Sequence, residues 1–446
     1  MKVEICAVGG YNEVGRNMTA IKIGDEVVIC DMGLYLPKII NYEDEEGSRK
    51  GLSRDKMIEI DAVPDDSLIH GWTPCVKAII PSHCHLDHIG AIPYLASKYG
   101  CPIIGTPYTL EVLKAIMADD KLRMPNKLKT LNPNSRLKLG ENFTVEFFNI
   151  THSTIQCVMI ALHTPVGIIM YCNDFKFDNH PTLGKKPNYE HFKQLGDDGK
   201  VFAVIADALY SGSAMKTPSE KVAREMLKDV LLGIDNTDHA VIVTTFASHL
   251  ARLESILEMG KRMNRKVVFL GRSLYKYIGA AESLKLVNFS ESGELVNFSN
   301  KVKRRLHDIS RNRGKYLIIC TGNQGEPGSI LRRMVEGDLP FDFRDGDQVI
   351  FACKTIPAPV NMANRAVLEE KLARKGCRIF KDIHVSGHAA KEDHRDLFDY
   401  LKPKHIIPAH GSLEQTSPMS ELATSMGYTL GKTVHLMRNG QILELD

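Results

Sequence analysis

The sequence predicts an α/β protein in which a β-rich domain is interrupted by an inserted α/β domain with a parallel sheet. Three observations carry this. The first third reads as short apolar strands separated by Gly or Asn turns. From Val201 onward strands alternate with helical segments, the pattern of a doubly wound sheet with helices on both faces. The ending returns to strands at His405–Pro408 and Thr433–Leu445. The predicted boundaries are 1–206 for the first part of the β-rich domain, 207–362 for the insertion and 363–446 for the second part. A chain of 446 residues, 43% hydrophobic and 25% charged, is long enough for two such cores.

Predicted strands in the first part are Val3–Val8, Ala20–Ile23, Glu26–Cys30, Cys75–Pro81, Val145–Asn149, Val158–His163 and Val166–Cys172. The turn Gly9-Gly10-Tyr11-Asn12-Glu13-Val14-Gly15-Arg16-Asn17 is glycine-rich, but no helical pattern follows it, which excludes a dinucleotide fingerprint. Lys38–Asp66 is polar and reads as a long surface insertion serving as a lid or a dimer contact. A helix is expected over Ile89–Lys98. The insertion's strands are Val201–Ala206, His239–Thr245, Lys266–Leu270, Tyr316–Cys320 and Asp347–Ala352, with helices such as Ser219–Leu232 and Leu250–Met263 between them. Asn361–Lys375 is a further helix.

The densest chemistry lies in His83-Cys84-His85-Leu86-Asp87-His88, directly after an apolar strand. Alternation along an extended segment puts His83 and His85 on one face and Cys84 on the other. Asp87 and His88 follow where the chain turns. Two imidazoles are thus offered to one cation, and a carboxylate with a third imidazole to a second. Imidazole with carboxylate suits Zn²⁺, with Mn²⁺ as the alternative. Three more candidates sit just past apolar strands: His152, Asp174 and His410. The expected division gives His83, His85 and His152 to the first metal and Asp87, His88 and His410 to the second, with Asp174 shared. Asp31 also ends a strand; it is expected to accept hydrogen bonds that orient the histidine loop, a metal ligand or a plain turn carboxylate being the alternatives.

Two cations at such spacing favour hydrolysis, by acidifying a water and neutralising a phosphoryl group. The leaving oxygen needs a proton. His388, in His384-Val385-Ser386-Gly387-His388, is the candidate general acid, with Asp207 holding its ring. Backbone N–H groups at Ser386 and Gly387 offer a nest for a phosphate.

The residues His83–His88 with His152, Asp174 and His410 resemble the metallo-β-lactamase superfamily signature. An insertion bearing Asp207, followed by His388, resembles the β-CASP branch. Gly15-Arg16-Asn17-Met18, Asn173-Asp174-Phe175-Lys176-Phe177-Asp178 and Thr321-Gly322-Asn323-Gln324-Gly325-Glu326-Pro327 resemble ribonuclease J, and the similarity runs over essentially the whole chain. The resemblance implies a four-layer αβ/βα sandwich, two zinc ions and 5′→3′ exonucleolytic degradation of RNA from a 5′-monophosphate end, with endonuclease activity also allowed. It implies that Ser248 and His384 through His388 hold substrate phosphates. An endonuclease of the same branch acting on RNA or DNA is the alternative, and a non-catalytic RNA-binding subunit a more distant one. This sequence departs from the pattern in having Cys84 where glycine is more usual and Asn323 where serine is. It ends soon after the metal motif, like the shorter archaeal forms, and a homodimer through the insertion is expected.

The net charge of +3 says nothing about partners. A local basic run, Lys301-Val302-Lys303-Arg304-Arg305 with Arg311, Arg313, Lys315, Arg332 and Arg333, offers a phosphate track, or only a solvated helix face. Arg272, just past a strand, is a further candidate for single-stranded RNA. The ten cysteines form no Cys-x-x-Cys pair and are expected to be reduced core residues. No signal-peptide shape or bilayer-length apolar run is present, so a cytoplasmic protein is expected.

Overall fold

Side-chain alternation in the early strands decides how the first part is layered. Val3, Ile5 and Ala7 share a face with Ile21, Val28, Ala78 and Ile80, and these meet Phe147, Ile160, Tyr171, Ile205 and Ile407 in one core. The structure, a computed structural model, describes residues 1–45, 51–297, 299–356 and 358–446. It divides into two compact units. The first comprises Met1–Asn179, Gly184–Thr217 and Ser386–Asp446; the second comprises His180–Leu183 and Pro218–Val385.

Two mixed sheets build the first unit. One runs in the order Ile442–Leu445, Val3–Gly9, Met18–Ile23, Glu26–Cys30, Val76–Ile80, Ile103–Gly105, Leu128–Thr130. The other runs His405–Ala409, Val201–Asp207, Gly167–Cys172, Val158–Thr164, Thr144–Asn149, Arg136–Lys138. The outer face of the second sheet, with Met159, Met170, Cys172 and Ile406, packs on Phe192, Leu397, Phe398 and Leu422 from the helices Tyr189–Asp197, Lys391–Leu401 and Leu413–Ser425. On the first sheet the outward Val27, Ile29 and Ile79 are also fully buried, and the helix Pro107–Asp120 buries Leu110, Val112 and Leu113. The result is the four-layer αβ/βα sandwich.

In the second unit every strand pair is parallel, in the order Gly293–Val296, Lys266–Leu270, Tyr316–Cys320, Val241–Thr244, Gln348–Phe351, Arg378–Phe380. One face of this sheet buries Leu306, Leu331, Met334 and Leu368. On the other side Leu253, Ile256 and Leu257 of the helix Leu250–Arg262 are buried.

The structure differs from expectation at several places. The units divide at 217/218 and 385/386 rather than 206/207 and 362/363. Ala208–Thr217 stays with the first unit because Ala208 N bonds Ala409 O at 2.9 Å and Thr217 N bonds Asp393 Oδ2 at 2.8 Å. The helix Pro359–Arg374 and strand Arg378–Phe380 stay with the parallel sheet. The helix expected over Ile89–Lys98 is three short turns, Leu86–Ile89, Ile92–Leu95 and Ala96–Tyr99, interrupted around Gly90 and Pro93. Lys38–Asp66 is largely helical, with Leu36–Glu45 and Arg54–Glu59; its residues 46–50 lie outside the described residues. Only Ile442–Leu445 of the expected C-terminal strand forms. All ten cysteines are free.

Candidate metal centre

The histidine loop is strapped from both sides by backbone. Asn17 N bonds Asp87 O at 3.0 Å, Met32 N bonds His88 O at 2.8 Å and Leu34 N bonds Leu86 O at 2.9 Å. Gly33 is pressed so closely to the loop that a Cβ there would lie 1.6 Å from Asp87 O. Asp31 adopts a left-handed φ of 57°, a conformation costly for a non-glycine residue. Its carboxylate repays that with donors on both oxygens. Oδ1 accepts from Ser82 N at 2.6 Å, and Oδ2 from Ser82 Oγ at 3.0 Å, His88 Nδ1 at 2.7 Å and Tyr171 Oη at 2.9 Å. Asp31 thus orients the loop and its third histidine.

Distant strand ends deliver the remaining groups to this loop. Asp174 follows the strand Gly167–Cys172, His152 follows Thr144–Asn149 and His410 follows His405–Ala409. Asp174 is buried at the centre. Its Oδ2 lies 3.5 Å from His83 Nε2, 3.3 Å from His88 Nε2 and 3.4 Å from His152 Nε2; its Oδ1 lies 3.7 Å from His410 Nε2. His85 Nδ1 lies 2.9 Å from His83 Nε2 and 3.2 Å from His152 Nε2. Asp87 Oδ2 is 3.5 Å from His88 Nε2. Ligand atoms of His83, His85, His152 and Asp174 fall within 4.8 Å of one another, as do those of Asp87, His88 and His410, and those of Asp174, Asp207, His388 and His410.

The proton inventory shows what this arrangement accommodates. His88 Nδ1 faces the Asp31 carboxylate, so it carries the proton and Nε2 presents a lone pair. His152 Nδ1 is 2.7 Å from Gly387 O, which only accepts, with the same consequence. Ser82 Oγ gives its hydrogen to Asp31, so it accepts from His83 Nδ1 at 3.0 Å. The Nε2 lone pairs of His83, His88 and His152 therefore gather round a carboxylate whose Oδ1 is buried without a hydrogen-bond partner among the described residues. Imidazole lone pairs gathered round a carboxylate in a buried space are suited to holding cations. The donor set, imidazole and carboxylate with ordered outer partners, fits zinc.

Electrostatics agree with that inventory for His83, His85 and His152 but not for His88. Burial, then His88 and His85, hold His83 well below the usual histidine range. Burial lowers His85 to about 4 and takes His152 well down too, despite Asp174. Burial opposes charge on His88 as well, but Asp174, Asp87 and Asp31 outweigh it and raise this group. Asp174 is driven well below the carboxylate range: burial works the other way, but His88, His410 and His388 prevail.

His388 stands beside this cluster, with Nε2 3.9 Å from Asp174 Oδ2 and Nδ1 2.7 Å from Asp207 Oδ2. Burial alone would lower it; Asp174 and then Asp207 raise it to about 9. Ser386 Oγ accepts from His388 N at 3.0 Å, and Gly387 supplies the carbonyl under His152. Ser248, His384 and Arg272 belong to the second unit. Ser248 lies between the strand Val241–Thr244 and the helix Leu250–Arg262, and Arg272 opens the helix Arg272–Ser283, exposed. His384 Nδ1 is buried with no partner among the described residues, and burial with Arg252 and His249 lowers it to about 2. The basic run forms the helix Ser299–Arg311, burying Val302, Leu306 and Ile309. Ser82, Tyr171 and the Gly387 carbonyl are supports that carry no sequence signal; Tyr171, three residues before Asp174, lies on an apolar strand.

Comparison with known proteins agrees over the whole length. Residues 12–229 match the metallo-beta-lactamase superfamily, 238–369 the beta-CASP domain of ribonuclease J, and 374–437 a Zn-dependent metallo-hydrolase RNA specificity domain. The chain is 45% identical over 448 residues to a ribonuclease J of Methanocaldococcus jannaschii, covering 100% of this chain and 99% of that one. It is 42% identical to a ribonuclease J of Pyrococcus abyssi, covering 99% and 97%. It is 31% identical to a ribonuclease J of Thermus thermophilus, covering 99% of this chain and 74% of that one. Among solved structures, a protein of unknown function from Enterococcus faecalis superposes with a TM-score of 0.67 at 16% identity, covering 100% of both chains, a likeness of fold alone.

Proposed function

The chain belongs to the ribonuclease J family, and from that premise we propose that it is a two-zinc nuclease that removes nucleotides from the 5′ end of single-stranded RNA, preferring a monophosphate there. The observation that carries this reading is the convergence of His83, His85, His88, His152 and His410 on the buried, partly unpartnered carboxylate of Asp174. His83, His85, His152 and Asp174 would hold one zinc; Asp87, His88 and His410 would hold the other, with Asp174, near His88 and His410, shared between them. When bound, the zinc pair supplies Lewis acidity at the scissile phosphate and acidifies the attacking water.

The chain's own groups do the rest. Asp31, Ser82 and the Gly387 carbonyl fix the ligand imidazoles so that none must reorient during the reaction. His388 keeps one ring nitrogen on Asp207 and turns Nε2 toward the reacting centre, where it can give a proton to the leaving 3′ oxygen. Ser386 and Gly387 bear the backbone N–H groups assigned to a substrate phosphate, with Ser248, His384 and Arg272 as further contacts. The family resemblance supports the 5′→3′ direction and a homodimer. No helix among the described residues is long and apolar enough to cross a membrane.

The decisive assay uses RNA labelled at its 5′ end, with monophosphate, triphosphate and hydroxyl termini in parallel. Immediate release of labelled mononucleotide, fastest from the monophosphate, is expected. Internal fragments alone would instead identify an endonuclease.

A further inference from the structure

We propose that Asn17 is a positioning residue that locks His410 in the one ring tautomer able to bind the second zinc. Its loss should therefore strip that zinc while sparing the first. The inference rests on the ligand division above and adds to it a residue that touches neither metal.

The argument is one of donors and acceptors. Asn17 is 2% exposed, and its amide is held between two groups far apart in sequence. On one side lies the backbone carbonyl of Asp87, 3.0 Å from Nδ2. A carbonyl can only accept, so the NH₂ end of the amide must face it. That leaves Oδ1 facing His410 Nδ1 at 2.9 Å. An amide oxygen also only accepts, so Nδ1 of His410 must carry the ring proton. Nε2, the atom 3.7 Å from Asp174 Oδ1, is then the bare lone pair. Flipping the amide would set oxygen against the Asp87 carbonyl, so that carbonyl dictates the tautomer of a histidine on another strand end. The second amide hydrogen lies toward His88 Nε2 at 3.2 Å, so Asn17 borders both imidazoles of the second group. It touches no member of the first group by any hydrogen bond among the described residues; His83 and His152 have their own partners in Ser82 and Gly387.

The surroundings are shaped for this side chain. His410 has a left-handed φ of 55°, so its ring is presented from a backbone that needs outside support. A Cβ at Gly10, itself at φ 87°, would lie 2.6 Å from Asn17 Oδ1, so glycine leaves room for the amide. The backbone bonds of Asn17, N to Asp87 O and O from Gly33 N, survive any side-chain change, so the loop keeps its strap in a variant.

The test is zinc titration of metal-stripped protein by calorimetry, with zinc content by mass spectrometry, for the wild type, Asn17→Ala and Asn17→Asp. Loss of an outer partner of a metal ligand typically weakens affinity about 10- to 100-fold. We expect two zinc ions in the wild type. Asn17→Ala should bind one as tightly as before and the second about 10- to 100-fold more weakly. Asn17→Asp keeps an acceptor for His410 but sets its other carboxylate oxygen against the Asp87 carbonyl, so it too should weaken the second site selectively. Two wild-type-like sites in Asn17→Ala overturn the proposal, as does equal weakening of both sites. Should the variants fail to fold, the ring-nitrogen NMR shifts of His410 in the metal-stripped wild type decide, and a proton on Nε2 with a bare Nδ1 overturns the tautomer argument. A wild type that binds fewer than two zinc ions would sink the ligand division itself, which is a separate outcome.

Discussion

Two buried polar clusters, one in each unit, are built on opposite plans. In the second unit Arg252, fully buried, bonds Glu220 through Nε at 2.5 Å and Nη2 at 2.9 Å, while Nη1 reaches Ala352 O at 2.6 Å and Ile383 O at 3.1 Å. His249 adds a third partner, 3.4 Å from Glu220 Oε2. Here the cation is a side chain, and donors match acceptors. In the first unit the groups around Asp174 are imidazoles, of which only His88 and His388 are pushed toward the charged form, and Asp174 Oδ1 has no hydrogen-bond partner among the described residues. One cluster is complete when the chain folds; the other is complete only with imported cations. The same burial therefore signals architecture in one place and chemistry in the other, and donor–acceptor counting separates them.

The largest effects should come from the incomplete cluster. Asp174→Ala removes the carboxylate proposed to serve both ligand sets, and RNA cleavage should fall by more than about 10²-fold, the loss seen when one preorganised electrostatic group is removed. Chelation by EDTA should do the same reversibly. Hydrogen exchange of the zinc-loaded and chelated protein sharpens the contrast. Amides in 82–88 and 405–412 should exchange faster after chelation, while those of the strands Val241–Thr244 and Tyr316–Cys320 should not change. Equal loosening of both would mean that the second cluster also depends on metal.

The complete cluster should break in the other currency, stability without metal. Glu220→Gln leaves Arg252 charged in a buried place and should cost about 3–5 kcal/mol in denaturant unfolding. Arg252→Met combined with Glu220→Leu should cost less than either change alone, because no unpaired charge remains. Zinc content should be the same in all four variants. Proton linkage gives the sign for pH. Burial would raise Glu220, but His249 and Arg252 hold it well below its ordinary 4.5. A depressed folded value means a stabilisation fully present above about pH 4.5 and lost as pH falls below it. Glu220→Gln should flatten that acid limb of the stability curve; an unchanged limb would show that other carboxylates govern it.

Much of this contrast was legible in the sequence, and the reason is physical. His83, His85, Asp87 and His88 lie within six residues, so local geometry alone brings them together. His152, Asp174 and His410 betray themselves by following apolar strands, whose ends share a sheet edge. Asn17, Tyr171 and the Gly387 carbonyl were not recognised as supports, because an outer partner needs only one correctly aimed donor or acceptor, and any polar residue or backbone group can provide it. Arg252 and Glu220 were equally silent: 32 positions apart on two amphipathic helices, they read as solvated charges. The unit boundaries were misplaced for a related reason. Ala208–Thr217 has a loop's composition, and only its bonds to Ala409 and Asp393 assign it to the first unit.

The smallest effect tests whether the histidine loop uses its sulfur. Cys84 stands between two ligand histidines, and a thiolate is an excellent zinc ligand, so the identity of the donor set hinges on where that side chain points. It is fully buried, and its Sγ lies 3.1 Å from Thr154 Oγ1. Burial pushes the thiol up to about 12, against the modest help of Thr154, so it stays protonated and a poor ligand. Cys84→Ala should therefore leave zinc stoichiometry and cleavage rate unchanged and cost about 1 kcal/mol of stability, from a small cavity and one weak hydrogen bond. A loss of zinc from Cys84→Ala would place sulfur among the donors, and the imidazole–carboxylate set read from the strand ends would have to be redrawn.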